Sequence, residues 1–225
     1  MPQQLWEKLR RKGLRGSLRI LRERFLYRHW VLLVLERDLA DPLPQLRRLD
    51  EASWPPTTLT AQQLPALRRH FSAYLPTIND LLKQKGVTGF ANLDREGHAA
   101  CMAWVSERDY YDRHLYRCWV RLPERCIYQF AGEVARPYRS RGLPLVMMKA
   151  IWAHYRALGF THSRALVSCS NPPALAIHVR LGFREIGESV HVYCLFGCLY
   201  LSRSERYAER RLPGPRQRAV MGEVA

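Results

Sequence analysis

The chain has 225 residues, 47% of them hydrophobic and 11% aromatic, which fits a globular protein of one domain with extensions. Its formal net charge of +16 favours anionic partners: nucleic acid, an acidic membrane surface or a polyphosphate cofactor. No apolar run approaches membrane-spanning length, and the six cysteines form no C-x-x-C pair and, with the histidines, no metal-ligand spacing. We therefore expect a cytoplasmic protein with free thiols, no metal and no signal peptide.

The N-terminal residues predict a basic amphipathic helix. Between residues 5 and 28 there are nine Lys and Arg against two Glu, and one helical face carries Leu14, Leu18, Leu21 and Phe25. Three roles are open for this segment. It packs on the parent domain, it contacts an anionic membrane as a peripheral element of the inner face, or it binds a protein or nucleic-acid partner.

Strands and helices alternate in the next stretch. His29–Leu39 is dense in aliphatic residues and predicts a strand. One position open to this strand is the edge of the sheet. After a proline-spaced connection, Thr60 is a good N-cap for a helix with Pro65 in its first turns, and a second helix is predicted over Ile78–Lys85. Gly89–Ser106 predicts a hairpin, because two apolar runs flank a turn sequence.

The segment Glu107–Trp119 is rich in Tyr, Asp and Arg. It is either an exposed loop or part of an acceptor site for a polar substrate. We favour the exposed loop.

The central segment predicts a strand, a basic turn and a helix. Cys126–Val134 has the pattern of a mostly buried strand, and Arg136, Arg139 and Arg141 then surround a turn at Gly142. The helix is expected to start at Pro144. A helix N-terminus beside three arginines can hold a phosphate or pyrophosphate, since it offers free N–H groups and positive charge. The alternative is a solvated basic turn between two core elements.

A second strand and helix follow, and then the final strands. His162–Ser170 predicts a strand, Asn171 an N-cap, and Gly182 the end of a helix. Ser189–Leu201 predicts one or two strands, in which Cys194 and Cys198, four residues apart, would share a face. The arginine-rich stretch Arg203–Ala225 predicts a flexible tail.

Two signatures in this order resemble the GNAT superfamily of acetyl-CoA-dependent N-acetyltransferases. The first is the loop Arg139-Ser140-Arg141-Gly142-Leu143-Pro144, which resembles the family's R/Q-x-x-G-x-G/A. The second is Asn171, Ala174 and Leu181-Gly182-Phe183, which resembles N-x-x-A followed by L-G-F. The resemblance is clear over residues 87–201. It implies an α/β fold with a mixed, mostly antiparallel central sheet flanked by helices.

The resemblance also implies a domain division and a cofactor site. The acyltransferase domain would span 29–202, between a basic extension at 1–28 and a tail at 203–225. Acetyl-CoA would be held by Arg139, Ser140, Arg141, Gly142, Leu143 and Pro144, by Asn171, and by backbone N–H groups near Val134 and Ala135. Pro144 departs from the family pattern, because proline has no N–H to donate to the pyrophosphate.

The candidate catalytic residues are Glu133 and His178. Glu133 is the candidate base that accepts the proton of the attacking amine; its alternative is a surface carboxylate paired with Arg136 or Arg139. His178 stands where the family often has a tyrosine that protonates the leaving thiolate, and its alternative is a structural histidine. The family's early helices would place His70, Tyr74 or Asn79 near the acceptor.

The sequence thus predicts an N-acetyltransferase that moves an acetyl or other short acyl group from CoA to a small-molecule or peptide amine by direct attack. The alternative is an inactive, basic GNAT-like module that binds an anionic membrane surface or nucleic acid. Against nucleic acid, the aromatic residues are not interleaved with the basic runs as base-stacking platforms would be.

Overall fold

The computed structural model describes residues 26–42, 53–139 and 141–212. The strands are β1 Tyr27–Asp38, β2 Pro56–Leu59, β3 Val87–Leu93, β4 Ala99–Ser106, β5 Tyr110–Tyr111, β6 Trp119–Val120, β7 Cys126–Val134, β8 His162–Ser168, β9 Arg184–Leu195 and β10 Leu199–Arg206. The helices are α1 Leu64–Phe71, α2 Leu75–Leu81, α3 Leu143–Ala157 and α4 Pro172–Arg180.

Eight strands form one sheet in the order β10-β9-β1-β8-β7-β4-β3-β2, while β5 and β6 pair with each other. All neighbours in the large sheet are antiparallel except β7 and β8. Helix α3 covers one face through a core that includes Met147, Ile151 and Tyr155. Helices α1 and α2 cover the other face through Leu67 and Ile78. The predicted mixed, mostly antiparallel sheet with flanking helices is confirmed.

Strand β1 lies inside the sheet, between β8 and β9, and the edge position considered for it is wrong. Its Leu32–Leu35 run is buried on both faces, which is the environment that favours a continuous apolar run over alternation. The strand begins at Tyr27, so the expected domain boundary after residue 28 falls within it. The predicted basic helix itself lies outside the described residues, except for its last three positions.

The two helices after β2 begin where local signals place them. Thr60 is the N-cap of a short 3₁₀ turn that leads into α1, and its side-chain oxygen accepts from Gln62 N–H at 3.2 Å. The second helix runs over Leu75–Leu81 and not over Ile78–Lys85, because Pro76 fits the first turn of a helix and starts it earlier.

The segment after β4 is largely exposed, as expected for a loop, but three of its side chains are buried. Tyr110 in β5, and Asp112 and Cys118 in the connection between β5 and β6, are buried. The Asp112 carboxylate accepts the N–H groups of His114 and Leu115, and its burial raises its pKa. A buried carboxylate that organises its own turn explains why a polar stretch packs against the domain.

The C-terminal part forms a hairpin of β9 and β10. Phe196 and Gly197 take positive φ in its three-residue turn, which ends with Cys198, so Cys194 is buried in β9 and Cys198 is exposed. The predicted shared face for the two cysteines is therefore wrong, since a turn separates them.

The described chain also continues in order beyond the expected tail boundary at 203. After β10, the Tyr207 hydroxyl donates to the Glu185 carboxylate at 2.8 Å, and the Arg211 N–H donates to the same oxygen at 3.0 Å. Residues 203–212 thus belong to the domain, and residues 213–225 lie outside the described part of the chain.

A buried arginine fixes the C-terminal end of α4. The Arg37 guanidinium donates to the carbonyl oxygens of Leu181 and Asp41 and lies 4.4 Å from the Trp152 ring centroid. A cation is stabilised there by the negative end of the helix dipole, although burial lowers the Arg37 pKa. Gly182, at φ +86°, leaves no room for a Cβ against Arg37.

Among the described residues, no helix has both the length and the apolar character needed to cross a bilayer. Within the same ranges, no three or more His, Cys, Asp or Glu side chains are grouped so that they could hold a metal ion.

Candidate active site

The candidate site starts from a gap between the two parallel strands. Strands β7 and β8 pair only from Cys126 with His162 to Tyr128 with Arg164. Beyond that point β7 continues to Val134 and β8 to Ser168 as separate strands. Because the strands diverge, the outward backbone groups of the last part of β7 have no ladder partner on this side.

A β-bulge in β7 determines which side chains face each side of the sheet. Between the pairs Met102–Glu133 and Trp104–Phe130, β7 has two residues where β4 has one, and Ala131 takes φ +48°. The bulge shifts the alternation by one residue. Glu133 therefore shares the α1–α2 face with Phe130, and Val134 faces the α3 side.

The pairing of β7 with β4 also determines which backbone N–H groups of β7 are already hydrogen-bonded. Ala135 N–H donates to Ala100 O at 2.9 Å, so it is engaged and the donor role expected for it is not supported. Because hydrogen-bonded and non-hydrogen-bonded pairs alternate in an antiparallel ladder, the N–H and C=O of Val134 point away from β4 and into the gap. The Val134 carbonyl accepts from Arg139 Nε at 3.3 Å, and its N–H is turned toward the gap.

The basic turn connects β7 to α3. Arg136, Arg139 and Arg141 are exposed, and Ser140 lies outside the described residues. Gly142 is the N-cap at φ +81°, a conformation that glycine adopts without strain. The helix starts at Leu143, one residue earlier than expected. Three exposed guanidinium groups therefore precede a helix N-terminus, and their role in binding an anion stays a prediction.

The start of α3 has one backbone N–H donor fewer than a helix without proline in its first turn. Leu145 N–H donates to Gly142 O at 2.9 Å, and Pro144 has no N–H. Gly142 and Leu143 precede the first intrahelical bond and so have free donors for an anion. Leu143 is fully buried, so only its backbone is available to a ligand.

Tyr138 anchors the turn to the rest of the domain. Its hydroxyl donates to Asp94 Oδ2 at 2.7 Å, and its ring meets the edges of Trp54 and His70 at centroid distances of 5.5 and 5.8 Å. Arg141 lies over the same ring at 5.4 Å. A surface pocket of about 350 Å³ opens between Trp54, the β3–β4 turn and the arginine turn. No sequence pattern pointed to Trp54, and Asp94 was visible only as part of a turn.

Glu133 has a tyrosine beside it. The Tyr74 hydroxyl donates to Glu133 Oε1 at 3.4 Å from the junction of α1 and α2. The negative charge of Glu133 is the largest cause that raises the Tyr74 pKa, and Arg139 opposes it. Among the described residues, Glu133 forms no ion pair with Arg136 or Arg139, the two partners considered in the alternative interpretation. Of His70, Tyr74 and Asn79, the residues expected near the acceptor, Tyr74 is the one with a described hydrogen bond to Glu133.

His178 has the geometry of a structural histidine. Its half-buried ring donates from Nδ1 to Ala174 O at 2.8 Å and meets the edge of Phe183 at 5.2 Å. Burial lowers the His178 pKa. The neutral ring then has its only proton on Nδ1, directed at a carbonyl. A general acid would need a second proton on Nε2, so this environment opposes the acid role.

Asn171 uses its side chain to cap α4. Its Oδ1 accepts from Ala174 N–H at 3.2 Å, which confirms the predicted N-cap. The side-chain oxygen is therefore engaged in the helix. The cofactor role expected for Asn171 stays a prediction for its remaining donors.

No protein-family model matches the chain, and no curated protein matches it. Among solved structures it is similar to the aminoglycoside N-acetyltransferase AAC(6')-Iy in complex with CoA, at 19% identity over 58% of this chain and 92% of that one, with a TM-score of 0.46. It is also similar to the aminoglycoside 6'-N-acetyltransferase AAC(6')-Ih from Acinetobacter baumannii, at 17% identity over 59% and 91%, with a TM-score of 0.45.

A third similar structure is a GCN5-related N-acetyltransferase from Sphaerobacter thermophilus, at 15% identity over 90% of this chain and 58% of that one, with a TM-score of 0.46. All three are N-acetyltransferases, the class that the two sequence signatures resemble.

Proposed function

We propose that the chain is an N-acetyltransferase that moves an acetyl or other short acyl group from CoA to an amine. The observation that carries the proposal is the gap between β7 and β8. The register with β4 turns the Val134 N–H toward this gap, and the gap lies beside three exposed arginines at a helix N-terminus. This combination supplies an anion-binding surface and an oxyanion donor next to each other.

On the donor side, the proposed role of the arginine turn is to bind the CoA pyrophosphate. Arg139 and Arg141 supply charge, and the N–H groups of Gly142 and Leu143 supply hydrogen bonds. Ser140 stays a prediction in this role. The proline at position 144 removes one donor from this set, so the arginines carry more of the affinity than in a loop with a full set of N–H groups.

At the reacting centre, the thioester supplies the activated acyl group. The amine must be neutral to attack, and we assign Glu133 to accept its proton, directly or through a water. The oxygen that becomes negative as the new C–N bond forms is assigned to the Val134 N–H. The bulge places Glu133 on the α1–α2 face, beside Tyr74, so the amine is expected to enter from that face.

Departure of the thiolate is assigned without a protein acid. A thiol has a pKa of about 8.5, so its thiolate is a stable leaving group near neutral pH and takes its proton from water. This assignment follows from the environment of His178, whose neutral ring has no proton on Nε2 to give.

The test is acetyl-CoA binding by calorimetry on the wild type and on the variants Arg139→Ala and Arg141→Ala. The matched control is Arg156→Ala, which removes an exposed arginine at the opposite end of the same helix. We expect each turn variant to weaken binding by about tenfold or more, since a hydrogen bond to a charged group contributes about 1.5–3 kcal/mol, and the control to bind like the wild type.

Turnover is then measured with a panel of amines by chromatographic detection of free CoA. Thiol reagents are unsuitable because Cys169 and Cys198 are exposed and would react. If a folded wild type does not bind acetyl-CoA, the proposal fails. If it binds but acetylates no amine in the panel, the acetyl-CoA site stands and the transferase assignment is not supported.

A further inference from the structure

One end of the sheet carries a cluster of exposed apolar side chains. Phe196 is 68% exposed at the turn of the β9–β10 hairpin, and Leu26, 53% exposed, precedes β1. The two are adjacent, because Phe196 N–H donates to Leu26 O at 3.0 Å. In the same sheet register, Leu199 and Tyr27 both flank Leu195. We define the tip patch as Leu26, Tyr27, Phe196, Leu199 and Leu201.

The tip patch is concentrated and not a random scatter of exposed apolar residues. Eleven large hydrophobic side chains are exposed in the described part of the chain, and five of them belong to this patch. Isolated exposed apolar residues are ordinary on a soluble surface, whereas a contiguous group marks an interaction site. The patch lies at the turn end of the β9–β10 hairpin and beside the start of β1.

Positive charge accompanies the patch. In the sequence, residues 5–28, which include Leu26 and Tyr27, carry nine Lys and Arg against two Glu, and Arg203 is exposed on β10, two residues after Leu201. An apolar tip with adjacent cationic side chains matches the two layers of an anionic bilayer. The apolar residues enter the acyl boundary, and the cations remain among the headgroups.

We propose that the tip patch binds the interface of an anionic membrane, with Phe196 and Leu199 entering the acyl boundary. The proposal commits to a lipid surface because the exposed apolar side chains are accompanied by the exposed Arg203 and directly follow the most basic stretch of the sequence, a charge pattern that complements anionic lipid. It is independent of acetyl transfer, since none of its residues lies on β7, α3 or the turn between them.

The experiment uses the full chain and two kinds of vesicle: pure phosphatidylcholine, and phosphatidylcholine with about 25% phosphatidylglycerol. Binding is measured by flotation for the wild type, for the double variant Phe196→Asn with Leu199→Gln, and for the control Leu158→Gln. Asn tolerates the positive φ of position 196, and none of the three substitutions changes the net charge. Leu158 is 58% exposed at the end of α3, outside the patch.

We expect the wild type and the control to bind the anionic vesicles and the neutral vesicles to bind neither. The double variant should lose at least about tenfold in affinity for the anionic vesicles, because two large side chains no longer insert. Circular dichroism and acetyl-CoA affinity, unchanged in the double variant, show that it is folded.

Three outcomes would overturn the proposal. The wild type does not bind anionic vesicles; the double variant binds as well as the wild type; or light scattering shows a dimer that the double substitution dissociates, which would make the patch an interface between two copies of the chain.

Discussion

The Tyr74 hydroxyl lies 3.4 Å from Glu133 Oε1. Tyr74 is at the junction of α1 and α2, and Glu133 is near the end of β7. The contact exists because the bulge at Ala131 turns Glu133 toward this face. Without the bulge, Glu133 would share a face with Gln129, which is buried against α3. Under the proposed function, this pair lies on the face of the sheet from which the amine would reach Glu133.

The first prediction concerns this pair. Glu133→Gln should lower kcat/KM for the best acceptor by about 10²–10⁴-fold, because a general base contributes that much, and should leave acetyl-CoA affinity unchanged. Tyr74→Phe keeps the ring and removes one hydrogen bond, so its loss should be only about 2–10-fold. Steady-state kinetics across pH measures both. A Glu133→Gln variant with the wild-type rate would place the base elsewhere.

The second prediction concerns the missing donor of the arginine turn. Pro144→Ala restores an N–H in the first turn of α3, where a phosphate would accept it. A charge-assisted hydrogen bond contributes about 1.5–3 kcal/mol, so the acetyl-CoA Kd should fall by about tenfold or more. Calorimetry measures this, with Pro172→Ala in the first turn of α4 as the matched control. An unchanged Kd would show that this helix start does not contact the ligand.

The third prediction concerns the glycine of the L-G-F signature. Gly182→Ala should destabilise the fold by about 2–4 kcal/mol, because its Cβ would overlap the Arg37 guanidinium and its φ is +86°. Gly159→Ala is the control: its φ is +88°, and a Cβ there meets nothing within 4 Å. Its cost should be about 1 kcal/mol, from the backbone alone. Urea unfolding measures the free energy of unfolding of both variants. Equal losses would show that the Arg37 side chain moves away from the new Cβ at no energetic cost.

The fourth prediction concerns His178. Burial lowers its pKa from 6.5, so the folded state binds this proton more weakly than the unfolded state does. Its stabilising contribution is full above pH 6.5 and is lost as the pH falls below that value. His178→Asn retains a donor for Ala174 O and should flatten this pH dependence of unfolding, while kcat near neutral pH stays close to the wild type. A large loss of kcat with acetyl-CoA affinity retained would restore the acid role.

Several elements could be predicted because their causes are local. Thr60, Asn171 and Gly142 cap helices through groups within three residues of themselves, and the turn between β3 and β4 is set by the glycine at position 97. The order of strand, basic turn and helix around Arg139 was likewise visible, because each element is coded by its own short pattern.

Other features depend on residues far apart in the chain. The edge position for β1 was wrong because its place between β8 and β9 depends on partners more than a hundred residues away. Within the largely exposed segment Glu107–Trp119, the burial of Asp112 was not predicted, because this charged residue is buried by satisfying a carboxylate oxygen with nearby N–H groups. Composition alone favours exposure for such a segment.

The sequence by itself determined the elements, their order and the basic turn, since helix caps, turn residues and hydrophobic periodicity act over a few residues. Only the tertiary structure decided which face Glu133 occupies and which backbone N–H is free. A single extra residue in β7 reverses every side chain beyond it, and the divergence of β7 from β8 leaves the Val134 N–H turned toward the gap while β4 engages the Ala135 N–H. Both depend on the pairing between strands, which no local pattern encodes.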